Sequence, residues 1–246
     1  MLEGHPADDE AAIDPALLEK LFDARRPLIR EYARLLAGSA VARGLIGPAE
    51  IPRLWERHLL NCAALSAVVP TSVTVADVGS GAGLPGIPLA LARPDLTITL
   101  VESMARRVAF LEEVRAALHL ERVNVLRARS EEVEDPFDVV VTRAVARLPT
   151  LVKLVAHLLP PGGLLLALKG ERASEEIEDA RAVLRRFRCS TEVDLLSIEW
   201  TSDDLLVRKV NRRRGERATE PERHQAAGFE AAGVTLATVV RIVKDQ

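Results

Sequence analysis

Apolar residues recur along this chain with two different periods, and the switch between them lays out its elements. Near the start, Leu17, Leu18, Leu21 and Phe22 stand at helical spacing behind Asp14 and Pro15, an N-cap followed by a proline in the first turn. Pro27 interrupts or restarts that helix. Leu28, Ile29, Tyr32, Leu35 and Leu36 then carry the pattern to Gly38, and Pro48 opens a further helix. From residue 73 the period shortens. Strands are expected at 73–78, 96–101, 123–126, 137–141 and 164–168, separated by helical stretches at 87–92, 103–118 and 148–159. A last amphipathic helix opens at Ser174, followed by strands at 191–198 and 234–243.

Strands alternating with helices predict an α/β fold with a mostly parallel, doubly wound sheet of seven strands. The FDVVV run at 137–141 is apolar enough to be a central strand buried on both faces. Three regions follow: a polar, acidic N-terminus over 1–13 that is expected to be disordered, a helical extension over 14–70, and one α/β domain over 71–246. Within that domain, 205–230 is dense in charge, with Arg208, Lys209, Arg212, Arg213, Arg214, Arg217 and Arg223. Its composition predicts a solvated or disordered insertion, with a phosphate-binding arm as the other reading.

Bulk properties narrow the classes. A chain of 246 residues, 48% hydrophobic, holds one substantial α/β core but not a second full domain. The net charge of −3 gives no attractive field for nucleic acid, so any such contact needs a local basic patch. Cys62 and Cys189 are isolated in sequence and suggest neither a disulfide framework nor a metal knuckle, so no metal is expected. Apolar runs stop short of the roughly 20 residues that span a bilayer, and the acidic MLEGHPADDE start is unlike a secretory signal. A cytoplasmic protein is expected.

The chemistry centres on VTVADVGSGAGLPGIPLALA at 73–92, a strand, a glycine turn and a helix start. Such a turn brings backbone N–H groups close to a ligand. Gly81, Gly83 and Gly86 fit the dinucleotide pattern G-x-G-x-x-G, while Asp77, Gly79, Gly81 and Gly83 fit the acidic turn that binds S-adenosylmethionine. Asp77 separates the two. A carboxylate there would repel a pyrophosphate but attract an ammonium and a sulfonium. Glu102, at the end of the second strand, is placed for ribose hydroxyls of either cofactor, and Ser130 or Glu131 for an adenine ring. Arg143 ends the fourth strand at the substrate crevice. On the helix after Pro48, Arg57 and Asn61 share a face with His58 alongside, either a solvated surface or a polar rim to the pocket.

Taken together, ERHLLNC at 56–62, VADVGSGAGLPGIPLA at 75–90, ARSEEV at 128–133, VTRAVA at 141–146 and LALKG at 166–170 resemble the bacterial 16S rRNA guanine-N7 methyltransferases, the RsmG or GidB family. The resemblance implies a class I methyltransferase fold, S-adenosylmethionine as cofactor, and a target guanine at position 527, in the 530 loop of the small subunit. It places cofactor contacts at Gly79, Leu84, Ser130, Glu131 and Arg143, to which the arguments above add Asp77, Gly81, Gly83 and Glu102. Partners would be 16S rRNA or the small ribosomal subunit, with the enzyme a monomer needing neither membrane nor metal. Guanine N7 carries an in-plane lone pair and no proton, so direct in-line attack on the methyl needs no general base. Arg143, His58 and Arg57 are then expected to orient the guanine and its phosphates. A class I methyltransferase acting on a protein or small molecule, and a dinucleotide-binding protein, are the competing readings.

Overall fold

The computed structural model describes residues 10–210 and 233–246. Residues 1–9 and 211–232, the latter holding most of the charged 205–230 stretch, lie outside the described residues, and so do the expectations made for them. Two helices, α1 (Pro15–Phe22) and α2 (Arg26–Leu35), lead into a helical segment over 48–67. Asp14 caps α1 by accepting from the Ala16 N–H at 2.9 Å, as its position before Pro15 suggested. The 48–67 segment departs from the single α-helix expected. It begins as a 3₁₀ turn, Pro48–Arg53, and widens to a π turn over Trp55–Leu60. Pro52 has no N–H to give to an α-helical ladder, and wide turns of this kind collect at functional sites.

Eight strands follow: β1 (Thr74–Val78), β2 (Thr97–Val101), β3 (Val123–Leu126), β4 (Val139–Arg143), β5 (Leu164–Leu168), β6 (Asp194–Trp200), β7 (Leu205–Lys209) and β8 (Val234–Val243). They form one sheet in the order β3-β2-β1-β4-β5-β8-β6-β7. The first five run parallel, and β8 lies antiparallel between β5 and β6. Helices α3 (Gly86–Ala92), α4 (Ala105–Ala117), α5 (Leu148–Val155) and α6 (Ala173–Arg186) fill the connections.

One strand more than expected is present among the described residues. β7 falls at the head of the stretch read as a charged insertion, and it is an exposed edge strand paired with β6. Arg208 and Lys209 fit there because they reach back to Glu199 and Asp194, and charged side chains are tolerated on an edge. β6 also starts later than the pattern suggested and continues through a bulge at Ile198/Glu199 to Trp200.

Alternation along the strands sorts the core into two layers. Val75, Val139, Val141, Leu166 and Val239 face α3, α4 and the N-terminal helices. Ala76, Val140, Leu165, Ala167 and Val240 face α5 and α6. The N-terminal helices therefore share a core with the sheet. Trp200 Nε1–H donates to Asp14 at 2.8 Å and Asn61 Nδ2–H to the Leu236 carbonyl at 2.8 Å, which tie the extension to β6 and β8. Strand order reverses between β1 and β4, so the crevice at their carboxyl ends is where this architecture holds ligands.

Candidate active site

The glycine turn leaves β1 at Gly79 and enters α3 at Gly86. Gly79, Gly81 and Gly83 have φ of 72°, 60° and 98°, in the left-handed region where a side chain is strained. A Cβ on Gly79 would come within 2.8 Å of Val145, so the turn also needs glycine to pack under the loop after β4. Gly83 is used differently: it abuts Ile87 and Tyr32, whose hydroxyl donates to the Ala82 carbonyl at 2.8 Å. The only tyrosine of the chain thus braces the turn from α2.

Asp77 lies wholly buried beneath this turn. Its Oδ2 accepts from the Gly86 N–H at 2.8 Å, which fixes the start of α3, while Oδ1 has no partner among the described residues. Burial pushes the Asp77 carboxyl up to about 7, against the pull of the Gly86 N–H and with Glu102 adding to the rise. Glu102, also buried, accepts from the Gly81 N–H at 3.1 Å and the Met104 N–H at 2.9 Å, and Arg107 approaches it at 3.3 Å. Both acidic residues therefore grip the glycine turn from below and from the side.

Two clefts open at the carboxyl ends of β1 and β4. The first, about 400 Å³, is bordered by Gly79, Gly81, Leu84, His58 and Arg143, together with Leu45, Ile46 and Arg107, which were not foreseen. The second, about 470 Å³, is bordered by Arg57, Asn61, Arg147, Lys169 and Glu176. Arg143 and Ala144 belong to both and form the wall between them. Ala144 has φ 55°, and this sharp turn directly after β4 sets the Arg143 side chain at the junction.

Arg143 is held on two sides. Its Nη2 lies 2.7 Å from His58 Nδ1 and its Nη1 donates to Cys62 Sγ at 3.3 Å. A guanidinium can only donate, so His58 Nδ1 is the acceptor and Nε2 carries the hydrogen, which goes to Glu50 Oε2 at 2.8 Å. Burial and the neighbouring Arg143 charge lower the His58 pKa more than Glu50 raises it, so the imidazole is neutral near pH 7. Burial pushes the Cys62 thiol up to about 11, and it stays a thiol. Arg57 pairs with the same Glu50 carboxylate at 3.6 Å. One acid thus organises two consecutive residues whose side chains face different clefts.

The remaining expected contacts stand apart. Ser130 and Glu131 bond to each other at 3.0 Å in a 3₁₀ turn after β3, and neither borders either cleft. Gly83 packs inward, as does Asp77. Glu50, Tyr32, Arg107, Lys169 and Glu176 were given no part in the site by the sequence. Only Lys169 carried a signal, through the LALKG segment.

Residues 25–195 match the family model GidB, rRNA small subunit methyltransferase G. The chain belongs to this family. A relative named ribosomal RNA small subunit methyltransferase G from Acidothermus cellulolyticus is 52% identical over 192 residues, covering 78% of this chain and 86% of the relative. One of the same name from Streptomyces coelicolor is 60% identical over 183 residues, covering 72% and 77%. Among solved structures, M. jannaschii TYW2 in complex with AdoMet aligns with a TM-score of 0.50 at 16% identity, over 76% of this chain and 75% of that one. That likeness is one of fold, a Rossmann-like class I methyltransferase sheet, and it agrees with the mostly parallel arrangement expected. Membership of the family removes the dinucleotide-binding alternative.

Proposed function

We infer that this chain is an S-adenosylmethionine-dependent methyltransferase acting on N7 of a guanine, position 527 in the 530 loop, of 16S rRNA. The observation that carries this reading is the pair of clefts sharing Arg143: one walled by a glycine turn, the other by cations.

The 400 Å³ cleft suits the methyl donor. Four buried side-chain polar atoms lack a partner among the described residues, and two of them, Asp77 Oδ1 and Arg107 Nε, belong to residues beneath and beside this crevice. Buried polar groups are left unpaired rarely, and a polar ligand accounts for a cluster of them. Gly79, Gly81 and Leu84 would hold the molecule, with Glu102 and Arg107 at one side and Asp77 supplying negative charge from beneath. Ser130 and Glu131 remain proposed contacts to its adenine, reached from the turn after β3. When bound, S-adenosylmethionine supplies a methyl group on a cationic sulfur, which a neutral nitrogen lone pair can take.

The chain's own residues then position rather than transfer protons. His58 is neutral and its lone pair is committed to Arg143, so it is unavailable as a base. No base is needed, because N7 carries no proton. Arg143 retains guanidinium hydrogens beyond the two it gives to His58 and Cys62, and these orient the target nucleotide where the clefts meet. Arg57, Arg143 and Arg147 make the second cleft cationic around the Lys169–Glu176 pair, as a phosphate-bearing substrate requires, although the whole chain is net negative. Holding N7 in line with the methyl is the main source of rate, worth several kcal/mol on the order of effective-molarity effects.

Among the described residues no helix is long and apolar enough to cross a membrane, and none of their His, Cys, Asp and Glu side chains cluster as a metal site. With rRNA as substrate, we place the enzyme in the cytoplasm, acting as a monomer without metal.

The test is methyl transfer from S-adenosylmethionine to small subunits from a strain lacking its own enzyme, with mass mapping of the 16S rRNA. A methyl at guanine N7 of the 530 loop is expected, and Arg143→Ala is expected to lose that activity. A methyl on any other site, or on protein, would overturn the assignment.

A further inference from the structure

Lys169 follows the last residue of β5, and its side chain is only 10% exposed. Its ammonium donates to the Ala146 carbonyl at 2.6 Å and to Glu176 Oε2 at 2.8 Å. The same Oε2 accepts from the Leu148 N–H at 2.8 Å, the first amide of α5. Burial raises the Glu176 pKa, but Lys169, the Leu148 N–H and Arg147 outweigh it and hold the carboxyl below its ordinary value. An ammonium has three hydrogens, so one remains, and Glu176 Oε1 makes no hydrogen bond among the described residues. Both free valences belong to residues that border the 470 Å³ cleft, which Arg143 borders too, next to the end of β5.

A donor and an acceptor fixed side by side in a partly dry cleft can read a base edge. A guanine with N7 toward Arg143 presents O6 next along its edge and then N1–H, an acceptor followed by a donor. Lys169 and Glu176 offer the complement, a donor beside an acceptor. Adenine presents the reverse, an amino group at position 6 and a lone pair at N1. The ammonium would then face hydrogens and the carboxylate a lone pair.

We propose that Lys169 and Glu176 are the residues that select guanine, Lys169 donating to O6 and Glu176 accepting from N1–H. The proposal rests on the reading of the site as a guanine-N7 methyltransferase. It assigns the LALKG lysine a part that cofactor binding does not, and it leaves the base's exocyclic N2 amino group unread. Discrimination by buried hydrogen-bonding groups reaches about 10⁴-fold, because the wrong partner leaves them unpaired.

The experiment uses the full-length enzyme and small subunits reconstituted with 16S rRNA carrying guanosine, inosine or adenosine at the target. Inosine keeps O6 and N1–H and lacks the amino group, so it is expected to be methylated within about tenfold of guanosine, while adenosine is slower by about 10³-fold or more. Lys169→Met is expected to cut kcat/KM on guanosine by about 100-fold and to shrink the guanosine-to-adenosine ratio at least tenfold, with S-adenosylmethionine affinity unchanged by calorimetry. A pair that merely braces β5, α5 and α6 would alter stability and leave that ratio alone. Rejection of inosine, acceptance of adenosine, or an unchanged ratio in Lys169→Met overturns the proposal. Should Lys169→Met not fold, the base series on the wild-type enzyme decides alone. Absence of transfer to guanosine itself would instead overturn the guanine-N7 reading.

Discussion

Asp77→Asn is the most informative single change, because it removes a charge and keeps the shape. Asp77 is fully buried, and its carboxyl is pushed up to about 7 from the ordinary 3.8. Between those two values the folded protein holds a proton that the unfolded chain has released. Stability therefore falls as pH rises through this window, by about 1.4 kcal/mol per pH unit, and the loss is complete above pH 7. The full penalty is about 4 kcal/mol, of which about 2 to 3 kcal/mol accrues between pH 5 and pH 7. An asparagine still accepts the Gly86 N–H and never ionises. Urea denaturation of both proteins without cofactor, from pH 5 to pH 8, measures the effect. The difference between the curves cancels His58, whose lowered pKa acts in the opposite direction. Asp77→Asn is expected to gain on the wild type by about 2 to 3 kcal/mol across that range, while binding the cationic methyl donor more weakly at pH 8. Parallel stability curves would refute the claim that Asp77 is a strained buried acid awaiting a cation.

Other substitutions probe the supports around it. A Cβ in Gly86→Ala would press on Leu100 and come within 2.7 Å of Asp77 Oδ2, so a loss of about 1–3 kcal/mol and weaker methyl-donor binding are expected in thermal melts and calorimetry. Tyr32→Phe removes the hydrogen bond to the Ala82 carbonyl and leaves that acceptor buried, costing about 1 kcal/mol by denaturant titration. Glu50→Ala frees the His58 Nε2–H and Arg57 together, so kcat should fall while methyl-donor affinity holds, and Glu50→Gln, which keeps an acceptor for His58, should recover most of it. Equal activity in Glu50→Ala would remove the role given to that chain of contacts.

Local signals were legible where a residue's own conformation or its strand period sets its role. The positive φ at Gly79, Gly81 and Gly83 is what the spacing of those glycines announced, and the Asp14-Pro15 cap is where the pattern placed it. Asp77 was legible as to position but not as to state. A carboxylate at a strand end was read by its charge, whereas the turn folds over it, buries it and pushes its carboxyl up to about 7. β7 was missed because charge density argues for solvent, and an edge strand is already half solvated.

Family, fold class and the methyl-donor turn follow from short-range order in the chain: hydrophobic period, glycine placement and motif spacing all act within a few residues. The second cleft does not. His58 and Cys62 reach Arg143 across more than eighty residues, with Glu50 behind His58, and Lys169 meets Glu176 and the start of α5 where strand and helices converge. Sheet order and the sharp turn at Ala144 bring these groups together, and their donor and acceptor directions exist only once the surrounding backbone is packed. Cofactor chemistry is therefore written in one contiguous stretch, whereas substrate chemistry arises from side chains that only the folded sheet makes neighbours.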